Sequence, residues 1–293
     1  MSQRFVILFC FVAVFAGSTA AEAGPVQDEA FRRYWYDQGA ELTRYRLEQA
    51  RYGERRQGEA VLIYVTEPFD VQGQVKSDDA AASTAQPALK LNLNRSFLTG
   101  VYPYHTMRST FQPMTGTPLS QAWKSALSVQ EWCGQVFEQW NRQEDGWRQR
   151  LFSYFQSEGD RDRQQPLVWL EDELWTRLRV DPSSLPTGAI QVIPGALARR
   201  FAHRPATPVA AVASWSDTDQ PAERIYGIEL PWRSLAIRCQ RDFPYAIEGW
   251  VERIGEEQTT ATRTHRQHLP YWRFNAPEDA ALRDGLGLPT DRP

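Results

Sequence analysis

One histidine in this chain has a setting that suggests catalysis. His105 lies in the run Tyr102-Pro-Tyr-His-Thr, which we expect to form a turn rich in aromatic residues. Turns between rigid strands often carry functional side chains, so His105 is the best single candidate for a site histidine, but a structural turn is the favoured interpretation and no catalytic residue is assigned. A hydrolase built around it would also need a carboxylate, which the sequence does not identify.

Three aromatic residues suggest ligand binding. Trp132 and Trp140 fall in a predicted strand over 130–140, and Tyr154 falls in one over 146–156, which a predicted polar loop over 157–165 follows. Aromatic rings on a concave sheet face can hold sugars or lipids, so these three are the candidates for lining one such face. Packing in the core is the alternative interpretation.

A basic cluster is the second candidate for binding. Arg199, Arg200 and Arg204 lie close together with His203. Guanidinium groups pair well with phosphates and carboxylates, so this cluster suits an anionic head group. A solvated charged patch is the alternative.

Familiar catalytic signatures are missing from the sequence. It contains no Gly-x-Ser-x-Gly, no phosphate-binding glycine-rich loop, no His-Glu-x-x-His and no Cys-x-x-Cys. His265 and His268 have no third ligand nearby, so we predict neither a metal nor a cofactor. The acidic run 171–173 opens a predicted helix, where the helix dipole explains it.

The first 23 residues have the layout of a cleavable signal peptide. Arg4 precedes an apolar run from Phe5 to Ala16, and small residues follow. The run is too short for a transmembrane helix, which needs about 20 residues. We expect cleavage after Ala20 or Ala23 and a periplasmic or secreted location.

Two cysteines remain after removal of that segment. Cys133 and Cys239 form an even pair in an oxidising compartment, where disulfides persist. One disulfide and two separate buried thiols are both consistent with the sequence.

Composition excludes some partners. The chain has 293 residues and a net charge of −3, which argues against nucleic-acid binding. No later segment is apolar enough to span a membrane. We predict three parts: a signal peptide over 1–23, one β-rich domain over 24–275 and a peripheral tail over 276–293.

Short alternating segments dominate the domain. Leu89, Leu91 and Leu93 alternate with polar residues, as expected for a half-buried strand. Leu167 to Val180 instead follows a helical period, with Leu170, Leu174 and Leu178 on one face. The helices that a parallel α/β fold needs between strands are missing. We therefore predict a mainly β fold: one large curved antiparallel sheet or half-barrel, or two packed sheets, with one or two helices.

Several segments together resemble a known family. The segments 35–54, 58–69, 99–104, 130–134 and 170–176 resemble secreted bacterial envelope proteins of about this length, whose function is unestablished. Members are sometimes labelled septum formation inhibitor Maf. True Maf proteins are cytoplasmic nucleotide pyrophosphatases with a Ser-Pro-Arg-Arg motif, which is absent here, so no catalytic residues are carried over. The strand-rich plan is also similar to periplasmic lipoprotein carriers.

These observations favour a non-enzymatic envelope protein that binds a lipid, a glycan or a protein. An extracytoplasmic hydrolase with an unfamiliar site and a structural assembly component are the alternatives.

Overall fold

The structure, a computed structural model, describes residues 27–116 and 120–290; the predicted signal peptide lies outside these ranges. Within them, sixteen strands form one continuous curved sheet. The prediction of a mainly β fold built on one large curved sheet is confirmed. The strands are β1 (Ala40–Arg51), β2 (Glu54–Asp70), β3 (Val75–Lys76), β4 (Ala85–Thr99), β5 (Tyr102–Pro113), β6 (Lys124–Glu131), β7 (Gly134–Arg142), β8 (Gly146–Ser153), β9 (Arg161–Pro166), β10 (Trp169–Leu170), β11 (Gly188–Ile193), β12 (Val209–Asp217), β13 (Glu223–Leu230), β14 (Arg233–Gln240), β15 (Ile247–Ile254) and β16 (Glu257–Leu269).

The strand order brings distant parts of the chain together. It runs from β10 through β16, continues with β1 and β2, and then passes from β4 to β9, while β3 pairs with β2 off this path. Neighbours are antiparallel except β10 and β11, which are parallel. The two edge strands, β9 and β10, are joined by only Leu167 and Val168.

Alternation along the strands divides the sheet into a buried inner face and an outer face. In β4, Leu89, Leu91 and Leu93 are buried, while Lys90 and Asn92 are only partly covered. Period-two alternation places every second side chain on one face, so the predicted inward leucines are confirmed.

Helices complete the core. The first, α1 (Glu29–Arg32), continues as a π-helical turn over Arg33–Asp37; α2 spans Glu171–Val180 and α3 spans Ala196–Ala202. All ten residues of α2 are buried, so this helix lies against the inner face of the sheet. Short 3-10 segments occupy Pro182–Ser184, Tyr271–Arg273 and Pro277–Leu286.

Ion pairs link α2 to the surrounding strands. Arg179 binds Glu41 of β1 through two hydrogen bonds of 2.7 and 2.6 Å. Burial alone would raise the pKa of Glu41, but the charge and hydrogen bonds of Arg179 outweigh it and lower that pKa to about 2. At the other end of the helix, Glu171 pairs with Arg233 at 2.6 Å. These contacts satisfy charges that could not otherwise be buried.

The C-terminal segment, residues 270–290, lies on the outer face of the sheet. Leu286 packs with Ala40, Leu42 and Val65. A groove of about 610 Å³ runs between this segment and the strands beneath it. No helix in the described ranges is both long enough and apolar enough to cross a bilayer.

Three predicted boundaries are wrong. The predicted strand 130–140 is broken by a turn at Trp132 and Cys133, which separates β6 from β7. The predicted polar loop 157–165 contains β9 from Arg161 onward. The turn predicted around residues 103–105 lies instead at Gly100 and Val101.

Candidate ligand site beside helix α3

Helix α3 lies across one end of the curved sheet. The hairpins β1–β2, β4–β5, β6–β7 and β8–β9 all turn at this end, which we call the tip end. The Phe201 carbonyl accepts a hydrogen bond of 3.1 Å from Arg51 at the end of β1. The ring of Phe201 packs edge-on against Tyr104 of β5, with a centroid distance of 5.9 Å. The helix therefore covers part of the inner face where the hairpins end.

The start of α3 is fixed by α2. The Ala196 N–H donates to the Asp172 carboxylate at 3.1 Å. Gly195 precedes the helix, and a Cβ at that position would lie 2.7 Å from a Glu171 oxygen. Only glycine allows this close approach without displacing the carboxylate. The helix ends at His203, which has a left-handed backbone with φ of 50°.

A cavity, the α3 pocket, lies between this helix and the inner face of β6 to β9. Its volume is about 270 Å³. Apolar side chains and a basic cluster share its wall. The apolar part comprises Leu127, Val136, Leu151, Ala196, Pro205 and Ala206, and the charged part comprises Glu138, Glu158, Arg161, Arg163, Arg199, Arg200, His203 and Arg204.

Both carboxylates of the pocket have arginine partners. Arg199 pairs with Glu138 at 2.8 Å, and Arg200 pairs with Glu158 at 2.6 Å. Glu138 also accepts a hydrogen bond of 2.5 Å from Gln149, and all three residues of this group are buried. In this network each glutamate of the pocket wall is paired with an arginine, so these four charges cancel.

The remaining arginines carry the surplus charge. The wall holds five arginines and two glutamates, so three positive charges remain after pairing. Arg204 stacks on the Trp232 ring at 5.4 Å, and Arg161 donates to the Ser157 carbonyl at 3.4 Å. Within the described ranges, no ion pair involves Arg161, Arg163 or Arg204. The pocket therefore offers guanidinium groups to an anion.

The predicted basic cluster comes together at this pocket. Arg199, Arg200, His203 and Arg204 all line it, but they differ in their surroundings. Arg199 is buried in its ion pair, while Arg204 is exposed at the mouth. Their part in binding stays a prediction.

The three predicted aromatic residues do not share a face. Trp140 is buried in a small cluster with Trp147, Leu170 and Ile193. Trp132 and Tyr154 are exposed, with 71% and 77% of their surfaces accessible. Trp132 occupies the β6–β7 turn and Tyr154 follows the end of β8, so neither takes part in the inward alternation that buries Trp140.

His105 lies on the outer face of β5, away from the pocket. It is exposed, and its Nδ1 is 3.2 Å from the Ser96 hydroxyl on β4. Within the described ranges, no ion pair joins His105 to a carboxylate. A catalytic role for His105 stays a prediction.

The two cysteines are separate free thiols. Cys133 is exposed at the β6–β7 turn, and Cys239 is buried on β14. Burial raises the pKa of Cys239 to about 11, which keeps it protonated at neutral pH. The disulfide alternative is thus absent from this structure, and the expectation that both thiols are buried holds only for Cys239.

Two pocket arginines were missed in the sequence because they lie in the supposed loop. Arg161 pairs with Leu151 and Arg163 with Gln149 across the β8–β9 ladder, so both share the inward face. The alternation of Arg161, Asp162 and Arg163 was the available signal for a strand.

Comparisons with known proteins do not identify a family or a function for this chain. No family model matches the chain, so the resemblance to secreted envelope proteins stays a prediction. No curated protein matches it significantly. Among solved structures, it is similar to a beta-barrel-like protein of domain of unknown function DUF1849 from Brucella abortus, with a TM-score of 0.47 and 8% identity over 79% of this chain and 98% of that one. At this level the similarity says nothing about ligand or activity.

Proposed function

We propose that this protein is an extracytoplasmic binding protein that holds an anionic amphiphile in the α3 pocket. The observation that carries the proposal is the surplus of arginine over carboxylate around a partly apolar cavity. The anionic group would bind Arg163 and Arg204, and a short apolar segment would contact Leu127 and Val136. No bond is made or broken in this function.

The chemistry of the wall supports this choice among lipid, glycan and protein ligands. Guanidinium groups form short, charge-assisted hydrogen bonds with phosphates and carboxylates. Among the described residues, no phenylalanine, tyrosine or tryptophan lines the pocket, which disfavours a sugar because sugars stack on such rings. A cavity of about 270 Å³ holds a head group with a short chain rather than a peptide segment.

Titration with octyl phosphate, kept below its micelle concentration, tests the proposal. We expect the protein to bind it and the double variant Arg163→Gln, Arg204→Gln to bind at least about tenfold more weakly, since a hydrogen bond to a charged group contributes about 1.5–3 kcal/mol. Isothermal titration calorimetry measures both affinities.

Two controls sharpen this test. Arg253→Gln removes an exposed arginine on β15 that does not line the pocket, and it should leave the affinity unchanged. Octyl glucoside has the same chain without the charge and should not compete. Equal binding by the double variant, or no binding by the unaltered protein, would refute the proposal.

A further inference from the structure

The tip end carries a group of exposed apolar side chains. Such residues are ordinary when scattered, but a cluster of them at one end indicates an interaction surface. We call this group the tip patch, and it consists of Leu98, Val101, Trp132, Phe137, Phe152 and Tyr154.

Contacts link several of these side chains to the neighbouring hairpins at the tip end. The rings of Trp132 and Tyr102 lie 6.5 Å apart, which links the β6–β7 turn to the β4–β5 hairpin. Phe137 and Phe152 lie directly opposite each other on β7 and β8. Tyr154 donates its N–H to the Gln135 carbonyl at 3.3 Å, so its ring stands beside the same hairpin.

The α3 pocket opens beside this patch. Ser157 and Glu158 follow Tyr154 in the β8–β9 turn and line the pocket. Arg161, Arg163 and Arg204 thus lie on the inner side of the tip end, next to the turn that Tyr154 begins, whereas Phe137 and Phe152 lie on the outer face. Two acids without an ion pair in the described ranges also lie nearby: Glu131 accepts the Cys133 N–H at 2.6 Å and Asp160 accepts the Ser153 N–H at 3.2 Å, so the three arginines exceed these acids by one charge.

We propose that the tip patch docks the protein onto the surface of a bilayer that contains anionic phospholipids. Trp and Tyr rings with polar tips favour the membrane–water interface, and basic groups are attracted to anionic head groups. Hairpin turns that project from one end of a sheet can enter this interface without unfolding. The surface needs only the tip patch and the arginines, so it would exist whether or not the pocket takes an amphiphile.

Co-sedimentation with vesicles tests this surface. We expect the protein to bind vesicles of phosphatidylcholine with phosphatidylglycerol, and to bind pure phosphatidylcholine vesicles at least about tenfold more weakly. The double variant Trp132→Ala, Tyr154→Ala should lose at least about tenfold in affinity for the mixed vesicles, because two large side chains no longer bury their area.

Matched measurements separate docking from folding and from pocket binding. Trp272→Ala removes another exposed tryptophan, on the C-terminal segment, and should bind vesicles as the unaltered protein does. The Trp132 and Tyr154 variant should keep its thermal midpoint and its octyl phosphate affinity, since both side chains are exposed and lie outside the pocket wall.

Three results would overturn the proposal. The first is that the protein does not bind the mixed vesicles. The second is that the double variant binds them as tightly as the unaltered protein. The third is that chemical cross-linking captures a protein partner that the double variant loses, while its vesicle binding is unchanged. The last would make the patch a protein interface.

Discussion

Glu173 is a buried carboxylate that accepts hydrogen bonds from backbone groups. It accepts the Ala122 N–H at 2.6 Å and the Leu170 N–H at 3.0 Å, and thereby joins the segment before β6 to the start of α2. Burial raises its pKa to about 7, and the two N–H groups offset that rise only in part. Its ordinary pKa is 4.5, so the native state binds a proton more tightly than the unfolded chain does.

This carboxylate makes stability depend on pH. Between pH 4.5 and about 7 the native protein holds a proton that the unfolded chain has lost, so stability falls as pH rises. We expect Glu173 to lower the free energy of unfolding by about 3 kcal/mol across that window. Urea denaturation at pH 4.5, 6 and 7.5 measures it.

Glu173→Gln should flatten this dependence, because an amide does not titrate. Glu256→Gln, at an exposed position, serves as the control and should leave the profile unchanged. An unaltered slope in Glu173→Gln would show that other groups produce it.

At the scale of elements, the hairpin turns position exposed side chains of the tip patch. Gly100 has a left-handed backbone with φ of 72°, and with Val101 it forms the two-residue turn between β4 and β5. A side chain at such a position strains the backbone, whereas glycine adopts it freely. The position of Val101 in the tip patch thus depends on Gly100.

Gly100→Ala tests the turn. We expect it to lower the free energy of unfolding by about 1–2 kcal/mol, the cost of a left-handed conformation for an L-residue. Space does not limit the substitution, because no atom lies within 4 Å of the added Cβ. Urea denaturation provides the comparison.

Gly227→Ala is the matched control. It lies within β13, has an ordinary backbone, and its added Cβ would come no closer than 3.9 Å to another atom. We expect a change within about 0.5 kcal/mol. Similar losses in the two variants would mean that the backbone conformation at Gly100 is not the cause.

Alternation predicted the elements that have one buried face. The leucines of β4 and the helix that ends before Asp181 follow from period alone. The failures occur where a local turn signal competes with alternation. Pro103 was taken as a turn residue, yet proline is tolerated near the start of a strand, and Gly100 forms the actual turn.

The basic site was only half predictable. Arg199, Arg200 and Arg204 lie within six consecutive positions, so their cluster is visible in the sequence. Arg161 and Arg163 reach the same pocket only because β9 pairs with β8, which is a tertiary fact. The buried partners Glu138 and Glu158 likewise come from other elements.

At the scale of the molecule, the proposed function requires an extracytoplasmic location. We expect the mature protein in an envelope fraction to begin at Ala21 or Gly24, which N-terminal sequencing determines. Leu8→Arg should interrupt the apolar run and keep the chain in the cytoplasm. An unprocessed chain in the cytoplasm without that substitution would contradict the assignment.

The strand order has a consequence for how the sheet is connected. A chain that began at β10 and passed directly from β16 into β1 would present the strands of the main path in the order in which they lie in the sheet. The protein therefore has the strand order of a circularly permuted meander, except that β10 and β11 are parallel. Strand neighbours on that path are close in sequence except at the β1–β16 seam, where Gln49 contacts Thr259, 210 positions away. Loop-closure entropy is concentrated at this seam, because it is the one place on the path where paired strands are far apart in sequence.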